Sequence, residues 1–223
     1  MKTIQKNSTN HTTAKKSRSI EYIVVHYTAG TSSRDGSATG LADYYRTSKT
    51  EVSSDYIIDD TAAVQYNGDI KNRYTWHCGG SKYATKGGSF YGKCTNANSI
   101  GIEICSTNST GRMQNANNKS YSFTPAAVNN AAELVRMLMS EYSIPAERVI
   151  RHYDVNGKPC PGIVGWNAES GSESEWQKFK AALGGDPAAL YYVQVGAFAS
   201  RENAEKYLET VRKDFPGAFI KVL

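Results

Sequence analysis

EYIVVHYTAG, residues 21–30, decides the fold. Its apolar run Ile23-Val24-Val25 ends on an imidazole, His26, so a β-rich segment carries a polar side chain to its own end. The second informative stretch lies far downstream. HYDVNGKPCPG, residues 152–162, sets His152, Lys158 and Cys160 within nine positions on a segment closed by prolines. Two histidines and one cysteine form the mixed nitrogen and sulfur set that zinc favours, and three protein ligands with a fourth position left open is the pattern of a catalytic site. His26, His152 and Cys160 are therefore candidate ligands of a hydrolytic Zn2+, with Lys158 a candidate cation for an anionic transition state. Each residue alone is more commonly structural, a strand-ending histidine or a small buried cysteine. The set points to a metal, together with Pro159 and Pro161, which stiffen the backbone on either side of Cys160.

Outward from these stretches the pattern alternates between strand and helix. Residues 20–27, 52–58, 62–66 and 99–105 read as strands. Residues 40–47 read as a short helix, and 125–142 as a longer one with Thr124 as cap, Pro125 in the first turn, and Val128, Ala131, Ala132, Val135, Leu138, Met139 and Tyr142 on one face. A last helix spans about 173–183, with Ser172 and Glu175 as a capping box and Trp176, Phe179 and Leu183 on its apolar side. These elements require an α/β fold, a mixed central sheet flanked by helices. Alternation along residues 100–104 puts Ile100, Ile102 and Ile104 on one face and Gly101 and Glu103 on the other, so a carboxylate points away from the isoleucine layer.

EYIVVHYTAG, TWHCGG (75–80), NSIGIEIC (98–105) and RHYDVNGKPCPG (151–162) together resemble the type 2 N-acetylmuramoyl-L-alanine amidases, a family shared by phage endolysins, bacterial autolysins and animal peptidoglycan recognition proteins. The resemblance covers about 140 residues in the family's motif order. It implies zinc on His26, His152 and Cys160, a catalytic lysine at Lys158, and a general base at Glu103. Other members use a tyrosine on the strand that here reads Val52-Ser53-Ser54-Asp55-Tyr56; Ser54 stands at that position, which gives Glu103 the weight. The family's cleft further implies a substrate-binding role for Trp76 and His77, an apolar wall and an orienting ring. The implied reaction is hydrolysis of the amide between the lactyl group of N-acetylmuramic acid and L-alanine of peptidoglycan. Two alternatives stand beside it: a non-catalytic peptidoglycan recognition module of the same fold, against which the intact Cys160 and Lys158 argue, and a zinc hydrolase of a stem-peptide bond.

Composition sets the class. The chain has 223 residues, 39% of them hydrophobic, enough for one core and a small appendage. No run is long enough for a membrane span, and the basic, polar N-terminus lacks the apolar centre of a secretory signal. A wall hydrolase made in the cytoplasm without a signal is expected to act after host lysis or holin-type release. Net charge is +5, carried by Lys2, Lys6, Lys15, Lys16 and Arg18 ahead of the first acid, Glu21. Residues 1–18 therefore read as a basic flexible arm. No nucleic-acid motif accompanies that charge. Four scattered cysteines are too few for a disulfide scaffold; Cys105 reads as buried, and Cys78 and Cys94 flank a Gly/Ser/Lys-rich loop where they bridge only in an oxidising wall.

The catalytic unit is read as residues 19–183 and a linker as 184–189. Beyond it, residues 190–223 read as strand, helix and strand, with Ser200 as helix cap and Ala204, Tyr207, Leu208 and Val211 as the apolar stripe. YYVQVGAFASRENAE (191–205) resembles the opening repeat of a SPOR domain, a peptidoglycan-binding module that contains two such repeats. A lone βαβ unit cannot bury enough apolar surface by itself, so a homodimer through paired half-modules is the expected arrangement.

Overall fold

A computed structural model describes residues 1–83, 87–184 and 198–213. Its six-stranded sheet is built around β3 (Tyr22–Tyr27), an interior strand every residue of which is buried. It lies between β7 (Ser99–Ile104) and β10 (Val149–Arg151), parallel to both. The sheet continues from β7 through β4 (Tyr56–Ile58) and β5 (Ala62–Gln65) to an edge strand, β1 (Lys2–Gln5). Only the β4–β5 pair is antiparallel, so the sheet is mixed, as the sequence pattern requires.

Side-chain alternation sorts the two faces. Ile23, Val25, Ile100, Ile102 and Ile104 pack with α2 (Pro125–Tyr142) and α4 (Ser174–Leu183) into the main core. Each such side chain, fully buried, contributes roughly 1.5–3 kcal/mol. On the other face α1 (Ser37–Thr47) covers Ile57, Val64 and Cys105, and a third cluster gathers Tyr22, Val24, Ile150, Val155, Cys78 and Cys94. The interval between those last two clusters is where His26 and Glu103 point.

Helix boundaries follow local chemistry. α2 begins where expected: Thr124 Oγ1 accepts the Ala127 N–H at 3.1 Å, and Pro125 fills a position whose N–H has no helical partner. α1 starts three residues before the expected 40, because Asp59 Oδ2 accepts the Ala38 N–H at 3.0 Å and caps it from across the chain. The expected capping box at the last helix does not form. Glu173 is the N-cap of α4, and the carbonyl of Gly165 takes the N–H groups of Glu175 and Trp176 at 2.9 and 3.0 Å.

Two expectations about strands are corrected. Residues 52–55 are not strand; the buried Asp55 carboxylate instead collects Asn67 Nδ2, Thr75 Oγ1 and the Gly101 N–H at 2.7–2.9 Å. Residues 1–18 are not a free arm. Lys2–Gln5 completes the sheet edge, β2 (Thr12–Ala14) pairs antiparallel with β6 (Arg73–Thr75), and the Met1 amino group pairs with Glu133 at 3.3 Å. Lys6 pairs with Asp43, and the buried Arg18 donates to the carbonyls of Arg73 and Ser99. Lys6, Arg18 and the Met1 amine are thus committed to the fold, while Lys2, Lys15 and Lys16 are exposed.

The chain divides into two compact units, Met1–Pro187 and Ala188–Leu223. In the second, α5 (Arg201–Val211) starts after Ser200, whose carbonyl accepts the Ala204 N–H at 3.1 Å while its hydroxyl makes no cap. Ala204, Leu208 and Val211 are half-buried and Tyr207 is exposed. The two strands expected around this helix lie outside the described residues. Among the described residues no helix is long and apolar enough to cross a membrane.

Candidate metal and catalytic site

Three parallel strands end together at the site, the usual place for ligands in an open α/β sheet. His26 is the penultimate residue of β3, Glu103 is its register partner on β7, and His152 directly follows β10. The chain then makes a single helical turn, α3 (His152–Asn156), stopped by Gly157 at φ 86°, a left-handed conformation that glycine adopts without strain. That stop reverses the backbone. Tyr153 N–H donates to the Cys160 carbonyl at 3.0 Å, returning the thiol and Lys158 to the side of His152. Buried Arg151 locks the turn: it pairs with Asp154 and Glu173, both at 2.6 Å, and its guanidinium lies 5.1 Å from the Trp176 ring centroid.

His26 Nδ1 lies 3.1 Å from His152 Nδ1 and 3.6 Å from Cys160 Sγ, and the three residues offer ligand atoms all within 4.8 Å of one another. Atoms in tetrahedral contact with one zinc would stand about 3.3 Å apart for two nitrogens and about 3.6 Å for nitrogen and sulfur, given ordinary Zn–N and Zn–S lengths. The donor set therefore fits zinc in chemistry, and His26 stands at the expected spacing from both other ligands. Protonation favours binding through the rings. Burial holds the His26 imidazole well below its ordinary pKa, with His152, His77 and Lys158 adding, and burial with Lys158 drives His152 down to about 3. Both rings are consequently neutral near pH 7. Burial pushes the Cys160 thiol up to about 12, assisted by Glu103 and opposed by the Tyr27 backbone N–H and Lys158, so a cation is what would ionise it.

Glu103 is partly buried, with Oε2 shut off from water and without a hydrogen-bond partner. Burial raises its pKa to about 8, opposed by Lys158 and His77. A carboxyl poised near neutrality is suited to accept and return a proton. Lys158 itself is exposed. Ser54 is fully buried and donates to the Tyr56 carbonyl at 3.1 Å, which occupies its hydroxyl in the fold.

His77 and Trp76, expected to contact substrate, both have partners within the fold. His77 Nδ1 is 3.1 Å from His26 Nε2, and its Nε2 is 3.2 Å from Ser99 Oγ, which donates onward to the Thr95 carbonyl. Both ring nitrogens are thus engaged behind His26, fixing the orientation that presents His26 Nδ1 to the cluster. Burial would lower the pKa of His77, but Cys78 and Asp55 outweigh it and raise it. Trp76 donates its indole N–H to Thr13 Oγ1 at 2.9 Å and packs against His11, so it anchors the N-terminal segment. No periodicity in TWHCGG announces either role; the signal was Gly101, whose missing side chain makes room for the His77 ring.

A family profile described as N-acetylmuramoyl-L-alanine amidase matches residues 16–163, and one described as SPOR domain matches residues 187–222. The chain is 31% identical over 163 residues to the N-acetylmuramoyl-L-alanine amidase CwlA of Bacillus subtilis, covering 73% of this chain and 48% of that protein. It is 33% identical over 149 residues to CwlH of the same organism, covering 66% and 50%. The chain thus spans about half the length of these curated relatives. Among solved structures, the PlyG catalytic domain superposes with a TM-score of 0.59 at 27% identity, covering 87% of this chain and all of that one. The catalytic domain of XlyA gives 0.58 at 26%, covering 82% and 100%.

Proposed function

The chain belongs to the N-acetylmuramoyl-L-alanine amidase family, and on that premise we propose that it is a zinc-dependent peptidoglycan hydrolase cleaving the amide between N-acetylmuramic acid and L-alanine. The observation that carries this reading is the convergence of His26, His152 and Cys160, their ligand atoms within 4.8 Å of one another, beside the partly buried Glu103 whose Oε2 has no partner. The two imidazoles and the thiolate would hold the ion, which would supply Lewis acidity to the scissile carbonyl and acidify a water nucleophile. Glu103 accepts the proton from that water and delivers it to the departing amine. Lys158 offers its ammonium to the oxyanion of the tetrahedral intermediate. His77 keeps His26 in the tautomer and orientation that ligation needs. The SPOR match supports a C-terminal unit that holds the enzyme on wall glycan, and pairing of two such units into a homodimer belongs to the same reading.

Purified walls digested with and without a chelator test the reading. Chelator-sensitive release of intact stem peptides with free L-alanine amino termini is expected. Internal peptide cuts would identify a stem-peptide hydrolase instead, and wall binding without any product, with zinc added, would identify a recognition module.

A further inference from the structure

We propose that Cys78 and Cys94 are a disulfide-forming pair, closed by a disulfide oxidant such as oxidised glutathione or a thiol–disulfide exchange protein, and that the bond staples the segment between them onto α3.

Both side chains are 3% exposed and pack in one cluster with Tyr22, Val24, Ile150, Val155 and Phe90. Their backbones are already tied together. Asn96 Oδ1, two residues after Cys94, accepts the N–H groups of both His77 and Cys78 at 3.1 and 2.7 Å. Cys78 Sγ lies 3.6 Å from Ser99 Oγ, and Cys94 is the largest influence holding Cys78 well below the ordinary thiol range. Cys78, with burial, pushes Cys94 up in turn. The other two cysteines are committed elsewhere: Cys105 belongs to the cluster under α1, and Cys160 faces His26.

Of the described residues between them, Tyr83, Gly88 and Phe90 lie along the turn that carries His152 and Lys158. They donate backbone N–H groups to the carbonyls of Asn156, Tyr153 and Asp154 at 2.6–2.9 Å. Joining Cys78 to Cys94 therefore holds the backing of α3 in place. The exchange balances through a mixed disulfide: the Cys78 thiolate attacks one sulfur of R–S–S–R and expels RS⁻, then the Cys94 thiolate attacks the Cys78 sulfur and expels the second RS⁻. The pair loses two electrons and two protons, which leave as two R–SH. Because both thiols are buried, exchange requires local opening and is slow in the native state.

The zinc-loaded full chain, incubated with oxidised glutathione, is denatured, alkylated and mapped by mass spectrometry. We expect alkylation at Cys105 and Cys160 only, a linked Cys78–Cys94 peptide, and a thermal midpoint about 5–10 °C above that of the thiol-reduced protein, the span expected for closing a loop of this length. In Cys94→Ala, which keeps an apolar side chain there, the oxidant should leave the midpoint unmoved. Alkylation of all four cysteines, or a bridge to Cys105 or Cys160, overturns the pairing, and a Cys78–Cys94 bond with no rise in midpoint overturns the staple. None of these readouts depends on hydrolytic activity.

Discussion

The ring of His77 fills the space where Gly101 has no side chain: a Cβ at position 101 would stand 2.5 Å from His77 Cγ, closer than any real contact. Gly101 also donates its N–H to Asp55 Oδ2 at 2.8 Å, so the backbone cannot retreat. Gly101→Ala should therefore displace His77 and, through it, His26. Loss of such an outer partner typically weakens metal binding about 10–100-fold, and overpacking costs about 1–3 kcal/mol. Competition with a chromogenic chelator, alongside urea unfolding, measures both; unchanged zinc affinity would mean that His77 does not position His26.

Glu103 sets function against stability. Its folded pKa, about 8, lies above its unfolded value, so the native state retains a proton that the unfolded chain has released. The stability this confers is fully present below the unfolded pKa and is lost as pH rises through about 8. In the metal-free protein, Glu103→Gln should match the wild type near pH 4 and exceed it by about 2 kcal/mol near pH 9, the order expected for relieving a buried unpaired charge. Activity on walls should disappear in the same variant. Parallel pH-dependent unfolding curves would refute the assignment of that pKa.

Metal loading should release protons in a predictable way. His26 and His152 are neutral before binding, so they give up none near pH 7; the Cys160 thiol gives up about one. Glu103 adds part of another when the ion's charge draws its pKa down. Calorimetry in buffers of different ionisation enthalpy should find fewer protons released by Glu103→Gln than by the wild type. Equal release would show that Glu103 is already ionised without metal.

Lys158 is exposed and held by no ion pair among the described residues, so Lys158→Ala should leave the unfolding midpoint and zinc content in place. Its effect belongs to the transition state. Removing a donor of this kind costs about 2.7–4 kcal/mol, or about 10²–10³ in kcat. Near wild-type turnover on purified walls would remove the lysine from the mechanism.

How far the sequence could be read depended on whether the deciding contacts were local. His152, Lys158 and Cys160 are legible because one turn and one glycine bring them together, and His26 because it ends an apolar strand. His77 is illegible as a partner of His26, since that contact depends on a distant loop folding back over Gly101. β10 escapes notice because three residues, one of them the charged Arg151, make no period; its burial rests on ion pairs that sequence does not display. The Ser172 capping box is well spelled and unused, because the Gly165 carbonyl reaches the helix start first.

The N-terminal strand shows no apolar alternation for a related reason. Lys2-Thr3-Ile4-Gln5 is polar because it forms a sheet edge, where alternate residues face water and only Ile4 packs inward. Its contribution is nonetheless distributed: four residues paired with β5, a terminal amine on Glu133, Lys6 on Asp43, and Trp76 Nε1 on Thr13. Deleting residues 1–15 would strip all of these and leave β5 as a bare edge with Ala63 and Val64 newly reachable, whereas a solvated arm could be removed without effect. The exposed ion pairs contribute little, so the loss comes from the edge ladder, Ile4 and the seat of Trp76, each on the order of 1 kcal/mol. The truncated chain should unfold at a clearly lower urea concentration with a smaller slope, and should aggregate through the uncovered strand. An unchanged midpoint would return this segment to the role of a free basic arm.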